Sequence, residues 1–315
     1  MLLLPLGMHI PDGFLSIPVS LVFWLASLLV IGKSLQHVNH ELDERQVPLM
    51  GILAAAIFAG QMLNFTVAGG TSGHLLGAAL ATILLGPWVA VVIMTSVVAT
   101  QALFFQDGGL VVLGANLFNM AIIGVFVAYA VYMLVQKISQ GNKWGIFAGG
   151  FAAAWSSIFI ASLACGLQLA LSGTSPAGLA IPAMGGIHAL IGIGEGLITT
   201  GALAFVYASR RDLIVNPSIQ GSSNKAIWVA GILISLVLVV ISPLASSHPD
   251  GLEWVAEALG FIEHAKEPLF NIIPGYILPG ISSESMATIL AGAVGIAIVL
   301  IVSFGVTYRR SRTAE

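Results

Sequence analysis

Nine times along its length the chain runs for much of a bilayer's thickness with hardly a charge, and this repetition restricts the fold more than any other feature. The runs cover approximately residues 16–35, 48–68, 73–86, 88–105, 110–135, 144–171, 183–208, 226–244 and 287–307. A hydrocarbon core about 30 Å thick is crossed by ~20 apolar residues in a helix. Within it every backbone N–H and C=O needs an internal partner, so only helices and closed barrels can span it. Alternating strand patterns are absent, which leaves helices. Only 8% of the residues are charged and 57% are apolar, whereas soluble domains carry roughly 25% charged residues. The expected fold class is an all-α membrane protein, a polytopic helical bundle of about nine transmembrane helices (seven plus two). The third run is short, and Gly86-Pro87 and Gly69-Gly70-Thr71-Ser72-Gly73 flank it. Such Gly-broken segments at membrane depth often line a cavity.

The basic residues set the expected orientation. Lys33, Arg45, Lys137, Lys143, Arg210, Arg211, Lys225, Arg309, Arg310 and Arg312 all fall on one side of a nine-span chain, and Lys266 falls on the other. Cytoplasmic loops carry the Lys/Arg excess, so the N-terminus is expected outside and the C-terminus in the cytoplasm. Two units follow. A seven-span block covers 8–212, a polar stretch Asn216–Asn224 reads as a linker, and a two-span unit covers 225–315 with an external loop at 245–286. In that loop Pro249–Phe261 reads as a short amphipathic helix with Leu252, Val255, Ala258 and Leu259 on its apolar face and Gly260 at its end. It is read first as a lid or packing element. The single cysteine, Cys165, lies in an apolar run, excludes an internal disulfide and reads as a small buried hydrophobe.

The residues with chemical potential lie mainly on the expected external face. In Met8-His9-Ile10-Pro11-Asp12-Gly13-Phe14, a free Met8 amine, the His9 amide and the His9 imidazole would make three adjacent nitrogen donors. That donor set favours a metal accepting square-planar nitrogen ligation, such as Ni(II) or Cu(II). Residues 1–7 (Met-Leu-Leu-Leu-Pro-Leu-Gly) place that amine in a peptide bond. They lack the charged region of a signal peptide and read as an extension or an early start. His74, after the second run, is on the same side and is the second candidate imidazole ligand. Asp12 is expected to cap the first helix, and Gln106-Asp107-Gly108-Gly109 to make a tight turn. Asn116 and Asn119 share one helix face, where interhelical hydrogen bonding competes with orienting a metal ligand. His188 and Glu195 lie two turns apart on one face of the seventh run. A charged group at mid-membrane costs roughly 3 kcal/mol and faces a bundle interior. A transit site, a proton-accepting Glu195 and a structural interhelical bond are all open readings for that pair.

Gly32-Lys33-Ser34 lacks the upstream glycine of a phosphate-binding loop, and Gly192-xxx-Gly196 reads as close helix packing. No HExxH or Gly-x-Ser-x-Gly pattern occurs. The chain is expected to be neither an ATPase nor a hydrolase.

Met8–Phe14, Ser72-Gly-His-Leu-Leu-Gly77, Gly108-Gly-Leu with Leu113-Gly-Ala-Asn and Phe118-Asn-Met120, and His188-Ala-Leu-Ile-Gly-Ile-Gly-Glu195 together resemble the CbiM/NikM family. These are the substrate-specific membrane components of energy-coupling-factor transporters for cobalt or nickel. The resemblance covers residues 8 to about 212, and Pro249-Asp-Gly-Leu-Glu253 with its flanking spans resembles the small CbiN/NikN-type partner, fused here. The resemblance implies metal ligands at Met8, His9 and His74, transported Ni2+ or Co2+ rather than a catalytic cofactor, and a bacterial inner-membrane location. It also implies a transmembrane coupling subunit and cytoplasmic ATPase subunits as partners. The Met1–Gly7 extension departs from the family, so translation from Met8, or removal of the extension, is expected. Asp12, Asp107, Asn116, Asn119, His188 and Glu195 are candidates for support or transit. A proton-coupled secondary transporter using His188 and Glu195 is the alternative, and the choice between nickel and cobalt is open.

Overall fold

The computed structural model describes residues 8–41, 47–215 and 225–308. The Met1–Gly7 extension, Arg45, the Asn216–Asn224 linker and the C-terminal arginines lie outside the described residues.

Helix α1 (Ile17–Glu41) starts immediately after Ser16, with Pro18 in its first turn where a missing N–H is tolerated. Helix α2 (Val47–Gln61) leads to a small antiparallel hairpin of β1 (Phe65–Thr66) and β2 (Ser72–Gly73). Helix α3 (Ala78–Leu85) is followed by α4 (Pro87–Thr100), which continues as a π-helical turn to Phe105. Helix α5 (Leu113–Leu117) runs through a second π-helical turn into α6 (Gly124–Ile138). Then come α7 (Lys143–Leu171), α8 (Ala177–Ser209) and the short α9 (Asp212–Val215). The last part holds α10 (Lys225–Ile241), the short α11 (Gly251–Leu259) and α12 (Glu284–Tyr308).

Among the described residues six helical segments are long and apolar enough to cross a membrane: 17–38, 87–105, 113–138, 143–171, 177–209 and 284–305. Helices α2 and α10 are shorter, and α3, with 8 residues, rises only about 12 Å. The second and third apolar runs were expected as helices over 48–68 and 73–86. Helix instead stops at Gln61 and resumes at Ala78. Between them Gly69 (φ 78°) and Gly70 (φ 77°) take the left-handed conformation that turns the hairpin. Hydropathy does not register that turn.

Helices α7 and α8 pack along much of their length, and glycines make the approach possible. A Cβ at Gly192 would lie 2.8 Å from Trp155, and one at Gly196 would lie 2.7 Å from Phe151, as the Gly192-xxx-Gly196 spacing predicts. Helix α2 is apolar all round and buried along most of its length, as such a helix must be. Helices α10 and α12 cover it from the C-terminal part of the chain. Gly231 faces Ile52, Gly295 faces Phe58, and Gly292 leaves room for Val239 and Met62. Trp228 and Phe304 stack with ring centres 5.3 Å apart.

Helix α11 is shorter than the expected 249–261. Asp250 caps it by accepting from the Glu253 N–H at 2.8 Å, and Gly260 (φ 77°) ends it. Its buried face is Leu252, Val255 and Ala256; Ala258, expected on that face, is exposed. Helix α11 packs on α8, which selects the i, i+3, i+4 set beginning at Leu252.

Candidate metal centre

The Met8–Phe14 segment is held inside the protein. His9 is only 4% exposed and Phe14 1%. Glycine at position 13 (φ 97°) turns the chain toward α1, with the Phe14 N–H reaching the Pro11 carbonyl at 3.4 Å.

The side chains of Asn116 and of Asp12, itself in the segment, tie it to residues 109–116. Asn116 accepts from the Ile10 N–H at 3.0 Å and donates to the Ile10 carbonyl at 3.1 Å, clamping the peptide next to His9. The Gly109 N–H also donates to that carbonyl at 2.9 Å. Asp12 does not cap α1 as expected. Its carboxylate accepts from the N–H groups of Leu110 (3.1 Å), Val111 (2.9 Å) and Val112 (3.2 Å), in the bend that leads into α5. Backbone N–H groups in such a bend have no ladder partner and take a carboxylate whatever its sequence distance, and the backbone at Gly109 leaves space for this one.

Asp107, expected in a turn and among the support candidates, is buried at 1% exposure and holds His9 directly. Its Oδ1 accepts from the His9 N–H at 3.2 Å and lies 3.0 Å from His9 Nδ1. Its Oδ2 accepts from the Tyr276 hydroxyl at 2.5 Å. Burial opposes ionisation of both partners, but each stabilises the other's charge. The His9 pKa is therefore raised and that of Asp107 lowered, with the Tyr276 hydrogen bond helping to keep the carboxylate ionised. His9 Nε2 is buried without a hydrogen-bond partner among the described residues.

His74 meets His9 edge to face, with ring centres 5.7 Å apart and planes at 83°. Its Nδ1 lies 3.0 Å from the Leu75 carbonyl. A carbonyl only accepts, so the proton sits on Nδ1 and Nε2 keeps its lone pair. Burial, and then the nearby His9, push the His74 pKa down to about 4. At neutral pH His74 is thus an uncharged imidazole.

Glu195 positions the His74 segment. Its two oxygens accept from the Leu76 N–H at 2.7 Å and the Gly77 N–H at 3.0 Å. Glu195 is fully buried, and it satisfies backbone donors that have no water to turn to. His188 is engaged elsewhere, with Nδ1 2.8 Å from the Met184 carbonyl. Asn119 pairs reciprocally with Gln168 at 2.8 and 2.7 Å, the interhelical bond expected of it. Asn116 and Asn119 therefore do different jobs although they share a helix face.

Met8, His9, His74 and His188 line one small cavity of about 80 Å³, beside the side chains of Cys165 and Met184. That is room for an ion and a few waters. A second cavity of about 410 Å³ lies beyond Asp107 and is lined by Met8, Tyr276, His248 and Glu253. Among the described residues no group of three His, Cys, Asp or Glu side chains is arranged to hold a metal.

The loop between α10 and α12 closes over the Met8–Phe14 segment, a set of contacts that the sequence left open. Ser72 donates its N–H to the Pro249 carbonyl and its hydroxyl to the His248 carbonyl, both at 2.8 Å. The Lys266 N–H donates to the Asp12 carbonyl at 2.7 Å, and Phe261 meets Phe14 edge to face at 5.1 Å. Asp250, also absent from the expected site, is buried at the start of α11, and burial pushes its pKa up to about 8. Tyr276 and these loop carbonyls carry no local sequence signal, since only the tertiary fold brings them to the site.

A bundle of membrane-length apolar helices enclosing two imidazoles and a pinned N-terminal segment defines a multi-pass membrane protein of the metal-transport class, and the comparisons with known proteins agree. Residues 9–213 match the family of the cobalt uptake substrate-specific transmembrane region (CbiM), and residues 225–312 match the PDGLE domain. A putative fused nickel transport protein NikMN of Archaeoglobus fulgidus is 38% identical, covering 98% of this chain and 100% of that protein. The fused nickel transport protein NikMN of Rhodobacter capsulatus is 32% identical over 79% of this chain and 76% of its own length. The cobalt transport protein CbiM of Sorangium cellulosum is 33% identical over 66% of this chain and 94% of its own. A crystal structure of a truncated transition metal transporter superposes with a TM-score of 0.58 at 35% identity, covering 64% of this chain and 99% of that one. The chain belongs to the CbiM family and carries a C-terminal PDGLE domain. It is a transport component and not an enzyme.

Proposed function

We propose that this chain is the metal-capturing component of an ATP-driven importer of the energy-coupling-factor type, with Ni2+ or Co2+ as its substrate. The observation that carries this reading is the meeting of the Met8–His9 segment with His74 on one small cavity. The proposed ligands are the Met8 amine, the His9 amide and imidazole nitrogens, and the His74 imidazole, arranged in a plane. Four nitrogen donors suit Ni(II) and accept Co(II). The amine is available in the form that begins at Met8, which is the form proposed to load metal.

Residues 8–212 are proposed to be the capturing block and 225–315 an accessory unit whose external loop assists loading. The charge distribution supports nine spans in the cell membrane with the site facing outward and the C-terminus in the cytoplasm. Asp12, Asp107 and Asn116 are proposed to hold the ligand-bearing segment, and Glu195 to hold the strand end that carries His74. That both Glu195 oxygens bind backbone amides supports a structural role over a proton relay with His188. Transport is proposed to require a separate transmembrane coupling subunit and ATPase subunits.

The test is direct titration of purified protein beginning at Met8 with Ni(II) and Co(II), alongside His9→Ala and His74→Ala. Tight binding with a planar-nitrogen absorption band, lost in both variants, is expected. Unaltered binding by His9→Ala would refute the reading.

A further inference from the structure

The sequence has no motif around Tyr276, yet this residue reaches from the loop before α12 into the seven-span block. Its ring stacks on Phe105 with centres 4.9 Å apart and planes at 18°, and its hydroxyl donates to Asp107 Oδ2. Its backbone is left-handed at φ 60°, as is the preceding Gly275 at φ 60°. An aromatic residue with positive φ is held there by its surroundings and marks a position where local strain is tolerated for a purpose.

What the hydroxyl holds is the carboxylate whose other oxygen faces both nitrogens of His9 that would chelate a metal. Chelation would release the proton of each of those nitrogens to solvent and bring the ion between them, on the side that Oδ1 now faces. Asp107 must then give up both contacts while staying buried. A bare buried carboxylate is costly. The Tyr276 bond to Oδ2 is the one contact that survives the exchange, and it keeps the negative charge beside the incoming cation.

We propose that Tyr276 is a positioning residue for metal capture, acting through Asp107 to make His9 ready to chelate, and so linking the accessory unit to the ion. The proposal rests on the reading of His9 as a ligand. A hydrogen-bonded partner of this kind changes metal affinity by 10–100-fold when it is lost.

The experiment is Ni(II) affinity of the chain beginning at Met8 and otherwise entire, in detergent, measured by competition with a chromophoric chelator, for the parent, Tyr276→Phe, Asp107→Asn, the double variant and His9→Ala. Phenylalanine keeps the ring stack, and an unchanged melting temperature verifies the fold. The expected result is at least tenfold weaker binding by Tyr276→Phe and no further loss when it is added to Asp107→Asn. Parent-like affinity for Tyr276→Phe, or losses that simply add in the double variant, overturns the proposal while His9→Ala still abolishes binding. If His9→Ala binds as the parent does, the ligand reading fails and the role of Tyr276 fails with it.

Discussion

Asp107 Oδ1 lies 3.2 Å from the backbone nitrogen of His9 and 3.0 Å from its Nδ1, so a single carboxylate oxygen faces both nitrogens through which a histidine can chelate a metal in its own backbone ring. The fold thus keeps the two nitrogens on the same side and aimed at one point. Chelation there would spend little conformational entropy.

Replacing Asp107 with asparagine should weaken Ni(II) binding by about 10–100-fold, the range for losing a partner that orients a ligand. Asparagine preserves size but removes the charge that faces the cation. Isothermal titration of the purified variant checks this, and parent-like affinity would show that the contact is incidental to capture.

Metal affinity should fall as the pH is lowered, and His9 should set the onset. Imidazoles bind metal only when deprotonated. The His9 pKa is raised, so its proton competes with the ion from above the ordinary histidine range downward. His74, at about 4, stays neutral through the same window and competes only below it. The slope should approach at least one decade of affinity per pH unit below the His9 pKa. Competition titrations between pH 5 and 8 measure it, and a flat profile across that window would contradict the assignment.

Glu195→Gln should lower thermal stability and also weaken metal binding. A carboxamide offers one acceptor where two N–H groups, of Leu76 and Gly77, now find two. Losing a hydrogen bond to a charged group costs roughly 1.5–3 kcal/mol, and the loosened segment is the one that bears His74. Melting and binding should fall together. A variant that melts normally but transports without proton coupling would instead support the relay with His188.

Gly251→Ala should impair loading because α11 can no longer seat on α8. The added Cβ would lie 2.7 Å from Ile191 and 2.8 Å from the His188 ring. Pairing it with His188→Ala removes one of the two clashes and should restore part of the uptake. Radioactive nickel uptake in cells compares the two, and no defect in the single variant would mean that the loop is free to move.

Much of this protein was legible before any coordinates. Most of the apolar runs fall where helices lie, the second and third excepted, and Gly260 ends α11 as predicted. Met8, His9 and His74, expected to converge, do line one cavity. The site residues show the limit of local reading. Asp12, expected to cap the helix it precedes, instead binds the bend before α5, about a hundred residues away, and Asp107, placed in a turn and among the support candidates, grips His9. In both cases a carboxylate satisfies whatever donors the fold presents, and sequence distance has no bearing on that.

Composition and periodicity alone determine that this chain is a helical membrane protein, because lipid leaves an apolar backbone few alternatives. They also determine which nitrogens are available to a metal, since donor chemistry belongs to residue type. The tertiary structure decides which of those donors meet, what holds them, and that Tyr276 from one end of the chain supports His9 at the other. Those are matters of hydrogen-bond satisfaction in a space without water, where each buried polar group must find a partner and only the folded chain shows which one it found.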